Sequence, residues 1–155
     1  MSGSDGVVRR LAAAGLELPA GPKPLGDYVP AVRAGSLVFT SGQLPVKGGE
    51  LIAVGTVGAG VSVDEACECA SRCALNALAA ASTVCDLDSV RRVVKVTGYV
   101  ASAADFTAQP AVVNGASAVM SAAFGDSGRH ARAAVGVASL PLGAPVEVEI
   151  VLELA

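Results

Sequence analysis

The chain is short of rings, of charge and of histidine. Of its 155 residues 3% are aromatic, none is Trp, and there is a single histidine, His130. Its five rings are Tyr28, Phe39, Tyr99, Phe106 and Phe124. They are too few for the stacking platform that single-stranded nucleic acid needs. Charged residues make up 16%, the formal net charge is −3, and basic residues gather only in pairs or near-pairs such as Arg91–Arg92 and Arg129–Arg132. Neutralising a phosphate backbone takes a basic stripe, so nucleic acid is not an expected partner. No run of ~18 uninterrupted apolar residues occurs, so no transmembrane helix is expected. Arg9–Arg10 ahead of Leu11 imitates an export signal, but Gly15, Glu17 and Pro19 break the stretch. The expected location is the cytoplasm. The four cysteines, Cys67, Cys69, Cys73 and Cys85, form no C-x2-C pair and have no histidine beside them. They read as small buried hydrophobes in a reducing compartment, with no metal expected.

What the chain does have is apolar mass: 52% of it is hydrophobic, mostly Val, Leu and Ala. Disorder is excluded, and one domain spanning residues 1–155 is expected, with residues 1–24 as a short helix and a Pro-rich lead-in. Low charge on so apolar a chain also points to an oligomer.

The elements follow from local pattern. Val29–Arg33 and Leu37–Ser41 read as a hairpin turning at Ala34-Gly35. The G-x-x-G-x-G series at Gly55, Gly58 and Gly60 lacks the order of a phosphate cradle and reads as a loop. Ser62-Val-Asp-Glu65 is a capping box opening a helix to about Val84, with Glu68 and Arg72 spaced to pair on its polar stripe. Val90–Val100 reads as a strand. Pro110 opens a second helix that stops at Gly125, and Ala131–Ser139 and Pro145–Leu154 are two closing strands. The fold class is α+β: one sheet with both helices on one face.

Several residues could carry chemistry. Arg132 stands at the start of an otherwise apolar strand, where a guanidinium needs an anion. A substrate carboxylate or an internal partner, Glu147 or Glu149, would serve. Those two glutamates alternate with Val146, Val148 and Ile150, so they share one sheet face. That face is either solvated or carries a carboxylate able to activate water. His130 is either an acid/base or an orienting residue. Gly125-Asp-Ser-Gly128 looks like a hydrolase motif but reads better as a turn, with only one histidine to serve as base.

Thr40-Ser41-Gly42-Gln43-Leu44-Pro45, Ala131-Arg132-Ala-Ala-Val135 followed by Leu140-Pro141, and Val146-Glu147-Val148-Glu149 together resemble the RidA/YjgF family, also called L-PSP endoribonuclease. The resemblance covers about residues 24–154. Cys73-Ala-Leu-Asn-Ala-Leu-Ala, Val113-Asn114-Gly-Ala-Ser117 and Gly128-Arg-His-Ala-Arg132 resemble a longer RidA-like subgroup. This implies a chorismate-mutase-like fold with one mostly antiparallel sheet, and a homotrimer with clefts between subunits. It implies hydrolysis of enamine or imine intermediates to 2-oxo acids and ammonia, without metal or organic cofactor. Arg132 would hold the substrate carboxylate, Tyr28, Ser41 and Asn114 would contact substrate, and Glu147 would position the attacking water. The chain departs from the pattern at Asp27, Pro30 and Gly136. A non-catalytic trimer that binds small carboxylates is the alternative, and endoribonuclease activity is disfavoured by charge and composition.

Overall fold

Ser62 fixes the start of the longest helix. Its hydroxyl accepts from the Glu65 amide (3.1 Å) while the Glu65 carboxylate accepts from the Ser62 amide (2.9 Å). The two bonds satisfy backbone donors that a helix start leaves open. Helix α2 (Val63–Ala81) follows. Helix α3 (Gln109–Phe124) has Pro110 in its first turn and ends at Gly125, whose φ of 58° suits glycine. Helix α1 (Val7–Ala13) buries Val7 and Leu11 and packs against α3. The computed structural model describes residues 6–23 and 26–155; the parts of the expected 1–24 segment that fall on residues 1–5 and Pro24 lie outside the described residues.

Strands β1 (Ala31–Ala34) and β2 (Leu37–Thr40) form the expected hairpin around Gly35. Two small pairs follow: β3 (Val46–Lys47) with β4 (Glu50–Leu51), and β5 (Thr56–Val57) with β6 (Gly60–Val61). The long strands are β7 (Val90–Ala101), β8 (Ala131–Val137) and β9 (Val146–Leu154). The main sheet runs β1-β2-β9-β7-β8. Its pairings are antiparallel except β7 with β8, which is parallel. A mostly antiparallel sheet is therefore present, but it is mixed, because α3 serves as the crossover that a parallel pair requires. Strand β9 inserts between β2 and β7 although it follows β8 in sequence.

As expected from the patterns, α2 and α3 lie side by side on one face of the sheet, α2 over β9 and α3 over β7 and β8. Close approach is built into the sequence at two glycines. A methyl group on Gly115 would strike the Cys67 carbonyl of α2, and one on Gly98 would strike Val113 of α3. Along β9 burial alternates strictly: Val146, Val148, Ile150, Leu152 and Leu154 are covered by the helices. Glu147 and Glu149 thus face the open side of the sheet. Val32, Phe39 and Val135 are large hydrophobics left exposed in the same sheet.

Candidate active site: two half-sites on one sheet

Glu147 lies on β9, opposite Tyr99 of β7. The neighbouring segment Ser41-Gly42-Gln43 runs alongside β9, held by paired backbone bonds between Gln43 and Val148 (2.8 and 3.0 Å). This brings the Gly42 α-carbon so close to the Glu147 carboxylate that any side chain there would collide with it. Burial, and then the charge of Glu149, raise the Glu147 carboxyl above the ordinary carboxylate range. Glu149 accepts a 2.7 Å hydrogen bond from the Tyr99 hydroxyl. That bond, with burial and the two glutamate charges, pushes the Tyr99 phenol up to about 12.

Tyr28 is exposed and shares a cavity wall with Gly42. Ser41 donates its hydroxyl to the Val29 carbonyl (2.7 Å), tying the segment beside Tyr28 to the end of β2. Tyr28, Ser41 and Glu147 therefore gather around Gly42.

Arg132 belongs to a second cluster. Its register partner is Val96, whose partner in β9 is Ile150, so Arg132 projects on the helix-covered side of the sheet at the β8 edge. There its Nη1 donates to Asn114 Oδ1 (2.8 Å) and Ser117 Oγ (3.2 Å), and its Nη2 donates to the Pro110 carbonyl (3.4 Å). Among the described residues no carboxylate pairs with it, which settles against Glu147 and Glu149 as internal partners. The side chain is held by neutral acceptors and keeps its positive charge uncompensated.

His130 backs this arrangement. Its Nδ1 lies 2.6 Å from the Gly128 carbonyl, which can only accept, so Nδ1 carries a proton. In the neutral ring Nε2 then accepts from the Ser117 hydroxyl at 2.9 Å, leaving a Ser117 lone pair for Arg132. The result is a directed chain from Arg132 through Ser117 and His130 to the backbone, which gives His130 an orienting role.

The structure brings Arg132 to Asn114, and Tyr28 and Ser41 to Glu147, but it does not bring the two groups together within one chain. They lie on opposite faces of the sheet, Arg132 at the β8 edge and Glu147 on the central strand β9. Two contributors carried no assigned role in the sequence reading: Ser117 and Gly42. Ser117 stands three residues from Asn114, one turn on along the same helix face, and that spacing is the signal that could have found it. Arg72 does not pair with Glu68; it turns away to donate from Nε to the Val46 carbonyl (2.8 Å). Gly125-Asp-Ser-Gly128 is a 3-10 turn, as read.

All four cysteines are unpaired. Burial is the first cause raising three of them, Cys69 to about 11, Cys73 further and Cys85 less, so their thiols stay protonated and unreactive. Among the described residues no three His, Cys, Asp or Glu side chains converge on a metal-sized site, and no helix is long and apolar enough to cross a membrane.

A mixed sheet under two helices, with an arginine cluster at its β8 edge and a raised carboxyl on its central strand, defines an α+β protein of the chorismate-mutase-like class. The family described as "YjgF/chorismate mutase-like, putative endoribonuclease" matches residues 8–154, and the chain belongs to it. Protein TCP17 of Trypanosoma cruzi is 42% identical over 153 residues, covering 97% of this chain and 96% of that protein. The crystal structure of Atu1372 from Agrobacterium tumefaciens, a protein of unknown function, is 44% identical, covers 98% of this chain and 95% of its own, and superimposes with a TM-score of 0.88. TdcF of E. coli, solved with bound serine, is 28% identical over 87% of this chain and 94% of its own, with a TM-score of 0.61.

Proposed function

We propose that the protein is a hydrolytic deaminase of 2-imino acids and their enamine tautomers, working as a homotrimer. The observation that carries this is Arg132: a guanidinium fixed by Asn114, Ser117 and the Pro110 carbonyl, with no acidic partner among the described residues. Such a fork is suited to a planar carboxylate. A small-molecule ligand is also consistent with the serine bound to TdcF. Endoribonuclease activity, which the family description names, finds little support in a chain with a net charge of −3 and five scattered rings.

Glu147 supplies the second requirement. Its raised carboxyl is a better base than an ordinary glutamate. Water held by Glu147 adds to the imine carbon while its proton passes to the carboxylate. That proton passes on to the imine nitrogen to give a carbinolamine; its hydroxyl proton then moves through the same carboxylate to the nitrogen, the C–N bond breaks as the C=O bond forms, and ammonia leaves with a 2-oxo acid remaining. Each turnover consumes one water, with no redox partner. Tyr28 and the Ser41 segment line the approach.

Because Arg132 and Glu147 project from opposite faces of one chain, a working cleft joins the Arg132 edge of one copy to the Glu147 face of the next. The exposed Val32, Phe39 and Val135 fit an open sheet face that another copy covers. Ammonia release from imines generated in situ by an amino-acid oxidase tests the reading. Arg132→Ala should weaken 2-oxo acid binding ~30–150-fold, with Arg132→Lys recovering part. Glu147→Gln should leave binding nearly intact and cut hydrolysis ~100-fold or more. Binding without hydrolysis in the wild type would instead make this a carboxylate-binding trimer.

A further inference from the structure

A cavity of about 560 Å³ opens beside Gly42, on the flank where the lead-in crosses α2. Its lining includes Pro19 and Lys23 of the lead-in, Arg72 and Asn76 of α2, and Tyr28 and Gly42. Its described lining contains two cations and no carboxylate. That is unusual in a chain whose acids outnumber its bases, 14 to 11.

Arg72 is prepared for an anion. Its Nε donates to the Val46 carbonyl at 2.8 Å, which fixes the plane of the guanidinium. Asn76 Nδ2 braces the same loop, donating to the Leu44 and Val46 carbonyls at 2.9 and 3.0 Å. The Nη1 and Nη2 groups of Arg72 meet no acceptor and no acidic side chain among the described residues. A half-buried guanidinium with its outer donors unspent favours a planar oxyanion, and Lys23 adds a second positive charge to the same lining. The volume suits a small organic molecule rather than a macromolecular segment.

Gly42 links this cavity to the chemistry, since its backbone lines the cavity while its α-carbon abuts the Glu147 carboxylate. Resting on the deaminase reading, we propose that the cavity is a second carboxylate pocket, in which Arg72 and Lys23 receive the side-chain carboxylate of the substrate. The substrates are then imines of acidic amino acids, and the products are 2-oxo dicarboxylates and ammonia.

Two measurements test this on the intact protein. In the first, ammonia release is followed with imines of an acidic and a neutral amino acid of equal chain length. The expected kcat/KM favours the acidic imine by about tenfold or more, and Arg72→Gln and, separately, Lys23→Gln collapse that ratio toward one. Equal use of the two imines by the wild type overturns the proposal. So does an unchanged ratio in both variants, because Lys23→Gln leaves the Val46 bond in place and cannot act through the loop. In the second, calorimetry compares a 2-oxo dicarboxylate, its monocarboxylate analogue and inorganic phosphate. Tighter dicarboxylate binding that Arg72→Gln abolishes supports the pocket even if no imine is hydrolysed, in which case only the deaminase reading falls. Phosphate competing as well as the dicarboxylate overturns the assigned ligand class.

Discussion

At the scale of single residues, Glu147 couples the fold to pH. Burial first, and then Glu149, raise its carboxyl above the unfolded value. A raised folded pKa means that Glu147 favours the folded state below its unfolded pKa and loses that contribution as pH rises through the folded one. At neutral pH, above its unfolded pKa, Glu147 therefore costs stability. Glu147→Gln should resist urea better than the wild type at pH ~7, and the advantage should vanish near pH ~4, below the usual glutamate pKa. An equal gain at both values would mean that something other than ionisation is responsible. Ser117 and His130 allow a second residue-level test. Both act on Arg132 through one chain of hydrogen bonds. Ser117→Ala should loosen 2-oxo acid binding about 2–10-fold, the worth of one ordinary hydrogen bond. Adding His130→Asn should cost little more, because the bond through which His130 acts is already gone. Additive losses in calorimetry would show that His130 acts by another route.

At the scale of elements, the close approach of α2, α3 and the sheet depends on absent side chains. Gly115→Ala would force the two helices apart at the Cys67 carbonyl, and Gly98→Ala would push on Val113. Each should lower stability by roughly 1–3 kcal/mol in denaturant titration, as overpacked cores do. Ser62→Ala, which breaks a cap on the surface, should cost ~1 kcal/mol. What the sequence disclosed is local in cause. The Ser62–Glu65 box, the stop at Gly125 and the alternation along β9 are written within a few residues and reappear in the fold. What it did not disclose depends on pairing between distant segments. The parallel partnership of β7 and β8, and the insertion of β9, follow from how α3 packs, which no single window contains. The face on which Arg132 lies was likewise hidden, because it depends on the register that sets it opposite Val96. Arg72 was misplaced for a related reason. Helical spacing offered it Glu68, whereas the fold offers it the Val46 carbonyl, 26 positions away in sequence.

At the scale of the whole molecule, the proposed cleft makes assembly part of the chemistry. If each cleft takes Arg132 from one copy and Glu147 from its neighbour, two variants inactive alone can restore each other. Arg132→Ala subunits still present an intact Glu147, and Glu147→Gln subunits still present an intact Arg132. Unfolded together in equal amounts and refolded as mixed trimers, they should form a complete cleft wherever the right pair meets. Each requirement is met by half of the subunits, so about a quarter of the clefts should be whole and about a quarter of wild-type activity should return. Refolded separately and then assayed together without exchange, the same variants should stay inactive, which excludes a trivial contribution from either stock. Sedimentation of the mixture should give one species of trimer mass. A site contained within one chain predicts no recovery under either protocol. Phe39→Asp sharpens the test, since it places a charge on the exposed sheet face while leaving the side chains of both clusters unchanged. If that face is the contact between copies, the variant should sediment as a folded monomer, keep its urea midpoint within the range of a surface change, and lose turnover although Arg132 and Glu147 are untouched.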